Sequence, residues 1–465
     1  MPSSTTSAVP PATTSTGTKV KIELAGHWGY RRLLRSAVPA VTMMIVMSVY
    51  SIVDGLFVSN FVGTTAFAAL NLIWPALAVV GALGLMVGTG GSALVSITMG
   101  QNDYPRASRI FSVLIRFTLI MALLFAVPLL LLMKPIAIAL GAEGEMVGEA
   151  VTYGSICAIG MPGYMLQMAF QSFFMTAERP QMGTKLSIVC GVTNMGLDAL
   201  FILVFGWGLA GAAAASMVAC AVGGIFPLWW FSSRRNDSRL RLSLLTRMAD
   251  ARSIIRRACT NGLSEYVGNI AFNVVGICYN LQLMHYFGEN GVAAYGILMY
   301  IGFIFGAVFF GYNFTVGPVV GFNYGAQNTG ELRSLLRHSA VLTLVAGVLM
   351  AIVCEAGAVG LARVFVSYDA DLLALTTRAI RLYMASLVLC GFNIFVSAWF
   401  TGLGNGVISA VASFARTLVF ELGAVFVLPL LVGLDGIWMA VDVAELLAFL
   451  LALTLLALFR KRYNY

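Results

Sequence analysis

Between Thr193 and Val218 an amide, a carboxylate and a hydroxyl occur in a stretch that is otherwise apolar. Asn194 and Asp198 are four residues apart, which puts them on one face of a helix. The run that carries them ends at Phe205, and the turn Gly206–Gly211 sends the chain back so that Ser216 descends a second helix. Counted from that turn, Asp198 is about eight residues deep and Ser216 about seven, roughly 10–12 Å each at 1.5 Å per residue. Asp54 lies in an earlier apolar run, roughly 10–13 Å below the turn at Gly63, and so reaches the same depth. A carboxylate within a bilayer is costly and is a functional hypothesis by default. Two carboxyls close together in apolar surroundings can hold a proton, and with the amide and hydroxyl the same oxygens could coordinate Na⁺. A blander reading has these groups only hydrogen-bonding helices together.

A second acidic set lies towards the other end of the chain. Glu421 is followed by Asp442 and Glu445, three apart on one helical run, with Arg381 and Arg416 at comparable depths on neighbouring runs. Opposite charges so placed pair structurally, since an unpaired one costs several kcal/mol; the rival is a second coupling site. Glu265 is a further acid near the start of its own apolar run. Candidates for lining a cavity are Asn71, Trp74, Met86, Tyr164, Gln167, Met168, Gln171, Tyr279, Asn280, Tyr300 and Asn313. Aromatic, Met and amide side chains suit bulky organic cations through cation–π contact and adaptable packing, although within apolar helices they also serve as plain packing.

The elements that position these groups follow from composition. The 465 residues are 59% hydrophobic and only 10% charged, against about 25% charged in a soluble globular domain. Twelve apolar runs long enough to cross a membrane are read at roughly 34–60, 66–99, 107–133, 147–175, 184–206, 209–232, 257–284, 291–324, 334–360, 372–400, 405–431 and 434–459. Several exceed the ~20 residues a crossing needs, so tilt and kinks are expected. With the N-terminus inside, twenty-two Lys and Arg residues fall on the inner side. They include Lys19, Lys21, Arg31, Arg32, Arg35, eight arginines from Arg234 to Arg257 (Arg247 among them) and Arg460-Lys461-Arg462. The outer loops carry two, Lys134 and Arg363. That asymmetry predicts a multi-pass protein of the cytoplasmic membrane with both termini in the cytoplasm. The net charge of +8 is then topology, and no nucleic-acid partner is expected.

Seven cysteines lie within or beside apolar runs without CxxC spacing, and His27, His285 and His338 are scattered, so neither disulfides nor a metal cluster are expected. No GxxxxGK[ST] loop occurs, no catalytic constellation is read, and the chain is expected to be neither ATP-driven nor an enzyme. Pro39 removes a backbone hydrogen bond from the first crossing and can kink it.

Shifting the chain by 225 residues superposes its halves without a gap. Phe61-Val-Gly63, Gly81-Ala82, Gly100 and Gly208 fall on Tyr286-Phe-Gly288, Gly306-Ala307, Gly325 and Gly433. The protein therefore reads as a duplication. Six crossings per unit is even, so both units enter from one side, a parallel repeat of the kind secondary transporters use. The expected organisation is a disordered tail (1–18), a first lobe with helices 1–6 (19–232), a basic linker (233–257) and a second lobe with helices 7–12 (258–460).

On these residues the sequence resembles the MATE (multidrug and toxic compound extrusion) family over both lobes. The matching pieces are Pro39, Val53-Asp54-Gly55, Gly63, Ala68-Ala69, Gly100 to Asp103, Asn194/Asp198 and Gly211-Ala-Ala in the first lobe. Gly262-Leu-Ser-Glu265, Gly325-Ala-Gln-Asn328 and Gly433-Leu-Asp-Gly-Ile-Trp438 match in the second. The resemblance implies an all-α membrane protein of two six-helix bundles forming a V, exporting drugs against inward Na⁺ or H⁺, closest to the bacterial drug-efflux branches. It implies a first-lobe cation site at Asp54, Asn194 and Asp198, with Ser216 where many members have Thr, and a first helix that bends at Pro39. Glu265 is nearer the cytoplasm than the acid that the Na⁺-coupled branch carries on this helix.

The expectation is a monomeric antiporter for organic cations and drugs, with lipid around it, no cofactor beyond the coupling ion, and H⁺ or Na⁺ left open. A flippase for lipid-linked saccharides is the alternative within the superfamily. A channel or membrane receptor is the alternative outside it, and a duplication built around buried acids argues against that class.

Overall fold

The computed structural model describes residues 23–465 except 244, 246–247 and 367–368. The tail expected at 1–18, and Lys19, Lys21 and Arg247 from the inner basic set, lie outside the described residues. The described chain is helical throughout: α1 (Tyr30–Phe57), α2 (Thr64–Gly100), α3 (Tyr104–Ala139), α4 (Glu145–Thr176), α5 (Pro180–Asp198), α6 (Gly208–Ser232) and α7 (Ala251–Asn261) come first. Then follow α8 (Leu263–Gly325), α9 (Thr329–Phe365), α10 (Ala370–Tyr383), α11 (Leu387–Gly402), α12 (Gly406–Phe414), α13 (Leu422–Val432) and α14 (Ala440–Tyr463). The pairs α10/α11 and α12/α13 each form one crossing, joined by a short 3₁₀ segment and by a π segment, Ala415–Glu421.

Among the described residues ten continuous helices are long and apolar enough to cross a membrane. One of them, α8, is two crossings, because Gly288 breaks it with φ 62° and ψ −152°. With α4 added, the total is the expected twelve. The outside of the helices is apolar where a soluble protein's would be polar: Leu131 is 74% exposed and Leu430 77%. A lipid environment removes the cost of that surface, and the protein is a multi-pass membrane protein.

One boundary differs from expectation. The seventh crossing starts at Leu263 and not near 257, because Ala251–Asn261 is a separate amphipathic helix with Arg252, Arg256 and Arg257 outside and Ile254 and Ala258 buried. The basic linker is therefore partly ordered, and Asn261 Nδ2 donates to Gly90 O (3.4 Å) and Thr401 O (2.9 Å).

The duplication is visible in the backbone. Gly63 and Gly288 both take positive φ between crossings (124° and 62°), a conformation that favours glycine. Asn102 and Gln327, also 225 apart, both have φ near 60°. The next residues, Asp103 and Asn328, each cap a helix by accepting from the backbone N–H three residues on.

The two halves are joined at the end where the termini and the basic linker lie. There α2 meets α8 so closely that a Cβ on Gly100 would fall 2.0 Å from Phe322 O, and one on Gly325 2.0 Å from Ile97 O. A short strap before α1 adds to the closure. Leu24 N–H donates to Glu178 of the first half, and Trp28 N–H donates to Glu331 of the second, while His338 Nδ1 lies 3.0 Å from Trp28 O. Trp28 and Leu24 are fully buried in this seam. Elsewhere the second half keeps its own core, around Tyr279, Ile301, Ile380 and Trp438.

Candidate functional site

Helices α1 and α5 pack together and α6 packs on α5, so their polar residues are turned into the first bundle. Asp54 is partly buried, while Asp198 (0% exposed) and Asn194 (1%) are sealed from the surface. The carboxyls of Asp54 and Asp198 face each other closely enough to share one proton in a hydrogen bond. With both ionised, no donor reaches Asp198 Oδ1 or Oδ2, Asp54 Oδ1 or Asn194 Oδ1. Buried oxygens without donors are rare, and each calls for an unseen proton, ion or water. Ser216 completes the group, since Asn194 Nδ2 donates to its Oγ at 3.1 Å. The four residues that the sequence put at one depth are thus brought together.

Two features of the site have no direct signal in residue type. The helix opens into a π segment one turn beyond Asp54 (Val58–Val62) and directly after Asp198 (Ala199–Val204). π segments are uncommon and recur at functional sites. Tyr153 and Cys157 of α4 also lie within the field of Asp54. Their four-residue spacing on an apolar helix was the available clue.

Pro39 sits within α1, and its carbonyl accepts a 2.6 Å hydrogen bond from Thr184 Oγ1 of α5. The proline is therefore tied to the helix that carries Asp198. Any bend of α1 at this point must stretch or break that bond.

The second acidic set divides. Glu445 pairs with Arg416 at 2.5 Å and is held there by Asn393 Nδ2 at 2.6 Å. Arg381 does not join it: the side chain is about half exposed and pairs with Glu355 at 3.4 Å. Depth along a helix says nothing of azimuth, and Arg381 points to the outer side of α10. Glu421 and Asp442 face a buried cluster of tyrosines, Tyr279 and Tyr295 stacked at 4.9 Å with Tyr383 edge-on. Tyr279 stands 225 residues after Asp54, so the duplicate of the first-lobe acid is a tyrosine.

Of the cavity candidates, Asn313 borders the cavity between the bundles, together with Glu265. Met86, Gln167, Gln171 and Tyr279 are buried in helix packing. Gln171 Nε2 donates to Met47 Sδ, and Tyr164 packs against Trp74, which is itself 36% exposed. Met168 is partly buried, Asn71 and Asn280 are exposed, and Tyr300 stacks on Phe365 of its own half.

Replacing Ser216 tests how tightly the first-bundle group is tuned. Ser216→Thr keeps the acceptor and should leave transport near wild type. Ser216→Ala strands the Asn194 amide and should cost about 1–3 kcal/mol of stability, with a several-fold slower efflux. Thermal unfolding and efflux rates on the same preparations check both.

No group of three or more His, Cys, Asp or Glu side chains that could hold a metal ion occurs among the described residues. A monovalent cation at Asp54/Asp198 would rely on these two carboxyls with the Asn194 amide oxygen, all oxygen donors without a present partner.

Comparison with known proteins follows the same division into halves. The family described as MatE matches residues 39–200 and again 266–426. The multidrug export protein MepA of Staphylococcus haemolyticus is 24% identical over 438 residues, covering 93% of this chain and 94% of its own. The MepA of Staphylococcus aureus strain MSSA476 is 22% identical with the same coverage. Among solved structures, an outward-facing multidrug resistance MATE transporter of the MOP superfamily superposes with a TM-score of 0.86, at 23% identity, over 96% of this chain and 100% of that one. A MOP superfamily transporter from Pyrococcus furiosus, described as having a binding pocket of reverse polarity, gives 0.88 at 22% identity, over 97% and 100%.

Proposed function

The chain belongs to the MatE family, and from that premise we propose that it is an antiporter that exports organic cations and drugs across the cytoplasmic membrane by alternating access. Inward movement of H⁺ or Na⁺ drives the cycle. The observation that carries this reading is the buried Asp54–Asp198 pair, three of whose oxygens no donor reaches, with the Asn194 amide oxygen as a fourth beside them. Such a pair is stable with one proton shared or with a cation bound, and unstable with neither. Loading and unloading it therefore changes the free energy of the α1–α5 packing, and the Thr184–Pro39 bond lies on that interface.

The lobes 19–232 and 258–460 are the two bodies that alternate, with the terminal end in the cytoplasm, as the excess of Arg and Lys there supports. The protein acts as a monomer within lipid. The flippase alternative is not favoured: relatives of matching length are named for multidrug export.

Efflux of a fluorescent cation from proteoliposomes, under a Na⁺ gradient and a pH gradient applied separately, tests the reading. One of the two gradients should drive uphill movement. Movement under neither, from a folded preparation, removes the antiporter from the account.

A further inference from the structure

We propose that the stretch joining the two halves docks on the membrane surface by binding an anionic phospholipid headgroup. Arg239 and Arg241 are the phosphate-binding residues, and Leu245 enters the acyl boundary of the leaflet on the side of the termini. Three observations point to this partner.

First, the chain after α6 climbs towards the bilayer. Asn236 Nδ2 closes a turn by donating to Phe231 O (3.2 Å) and Leu240 O (2.6 Å). Beyond the turn the backbone runs along α3 on two hydroxyls one helical turn apart. Ser108 Oγ donates to Arg239 O (3.4 Å) and accepts from Arg241 N–H (3.2 Å), and Ser112 Oγ accepts from Ser243 N–H (3.0 Å). Leu240 and Leu242 are buried, while Arg239 and Arg241, alternating with them, are exposed. At 36 residues α3 is about 54 Å long, more than the ~40–45 Å of a whole bilayer. Its first turns, which carry Ser108 and Ser112, therefore stand among headgroups. Past Ser243 the side chain of Leu245 is 92% exposed, and Asp250 brings the chain back to Arg106 near the start of α3. An apolar tip at that level is covered by the acyl boundary.

Second, the charge of this surface has no answer within the protein. The start of α3 and the joining stretch hold three acids, and each is engaged: Asp103 accepts from Arg106 N–H, Asp237 pairs with Arg179 at 2.5 Å, and Asp250 pairs with Arg106 at 3.4 Å. Arg241, Arg252 and Arg256 are exposed and pair with no acid among the described residues. Basic clusters beside membrane crossings draw anionic lipid. Third, Arg239 is held in place beforehand. Its guanidinium lies over the Tyr104 ring, 4.8 Å from the centroid, and donates to the Tyr104 hydroxyl. A guanidinium fixed on an aromatic face keeps other N–H groups for a phosphate and loses less freedom in binding it.

Level, charge and apolar tip together select a lipid over a soluble anion, which could use the arginines but not Leu245. Since α7 continues this stretch and packs on α2 and α3, a lipid bound here holds the joint between the halves. The inference is independent of the cargo and of the coupling ion.

Binding of phosphatidylglycerol and of phosphatidylcholine to the purified protein in neutral detergent tests the site, read by native mass spectrometry and by thermal shift. Wild type should prefer phosphatidylglycerol about tenfold or more. Arg239→Ala with Arg241→Ala should remove most of that preference and leave phosphatidylcholine binding unchanged. Arg241→Glu alters an exposed side chain with no partner among the described residues, so it should fold normally and weaken phosphatidylglycerol several-fold. Leu245→Ser should weaken phosphatidylglycerol a few-fold, and free glycerol phosphate should displace the lipid only at far higher concentration. Unchanged phosphatidylglycerol affinity in Arg241→Glu overturns the site, as does a wild type that binds the two lipids equally. Displacement by glycerol phosphate at matched concentration would mean that phosphate alone is read, and would overturn docking on the membrane. Displacement by a short oligonucleotide at matched concentration would make the surface a general polyanion binder and overturn the lipid assignment.

Discussion

Gradient-driven efflux falls to the background of protein-free vesicles in Asp198→Asn, while the variant still reaches the membrane and remains folded. The expectation follows from where the side chain stands. Both Asp198 oxygens are buried with no donor in reach, opposite the Asp54 carboxyl. Asparagine has the same shape and brings an N–H that Asp54 can accept, so packing is kept and thermal stability should hold or rise. What asparagine lacks is the capacity to release a proton or to carry charge for a cation. The pair then has one state where it had two, and nothing is left to bias the lobes. Asp54→Asn should fail in the same way. Folded, stable protein without efflux is the diagnostic combination, read from reconstituted vesicles and a thermal melt on one preparation. Unchanged efflux in Asp198→Asn would remove the first-bundle site. Efflux lost in Glu421→Gln and kept in Asp54→Asn would transfer coupling to the tyrosine-lined acids of the second bundle.

The parts of this architecture that were legible in the sequence are those encoded locally or by repetition. Apolar runs mark crossings whatever their partners, and Gly63 and Gly288 mark equivalent breaks because few other residues take their φ. Counting rise per residue from the Gly206–Gly211 turn was enough to bring Asn194, Asp198 and Ser216 to one level. Rotation about the helix axis was not legible in that way. Arg381 has the right depth to meet Glu445 and the wrong azimuth, so it pairs with Glu355. Met86, Gln167 and Gln171 have side chains suited to a cavity, yet they are consumed by packing between helices. Long-range pairing left still less trace. Trp28 and Glu331 meet across 303 residues, and neither carries a local signature of the seam they close. The amphipathic helix Ala251–Asn261 was readable in principle from Ile254 and Ala258 at i, i+4 between arginines, but the apolar residues that follow it blur its end.

The ion pair Arg416–Glu445 should behave in the opposite manner to Asp198, losing stability when one partner is removed and tolerating removal of both. Glu445 is 3% exposed and both its oxygens are engaged, Oε1 by Arg416 Nε (2.8 Å) and Nη2 (2.5 Å), Oε2 by Asn393 Nδ2 (2.6 Å). Arg416 also places Nη2 3.3 Å from Cys390 Sγ. A carboxylate with donors on both oxygens and a guanidinium beside it is held in its charged form as a brace, which separates it from the donor-free Asp54–Asp198 pair. Arg416→Met strands the buried carboxylate and should destabilise the protein by about 3–5 kcal/mol, towards the lower end because the arginine is partly exposed. Replacing the pair together, Arg416→Met with Glu445→Leu, removes both desolvated charges and should recover most of the loss. Asn393 Nδ2 keeps the Glu445 main-chain oxygen as its acceptor at 2.9 Å, so the double variant strands no donor there. Thermal unfolding of the single and double variants measures the coupling directly. Efflux separates structure from mechanism: a double variant that is stable and still transports has lost only a brace. A double variant that is stable and inactive would place this pair in the transport cycle, and a single variant of unchanged stability would mean that the charge of Glu445 is not buried as the geometry requires.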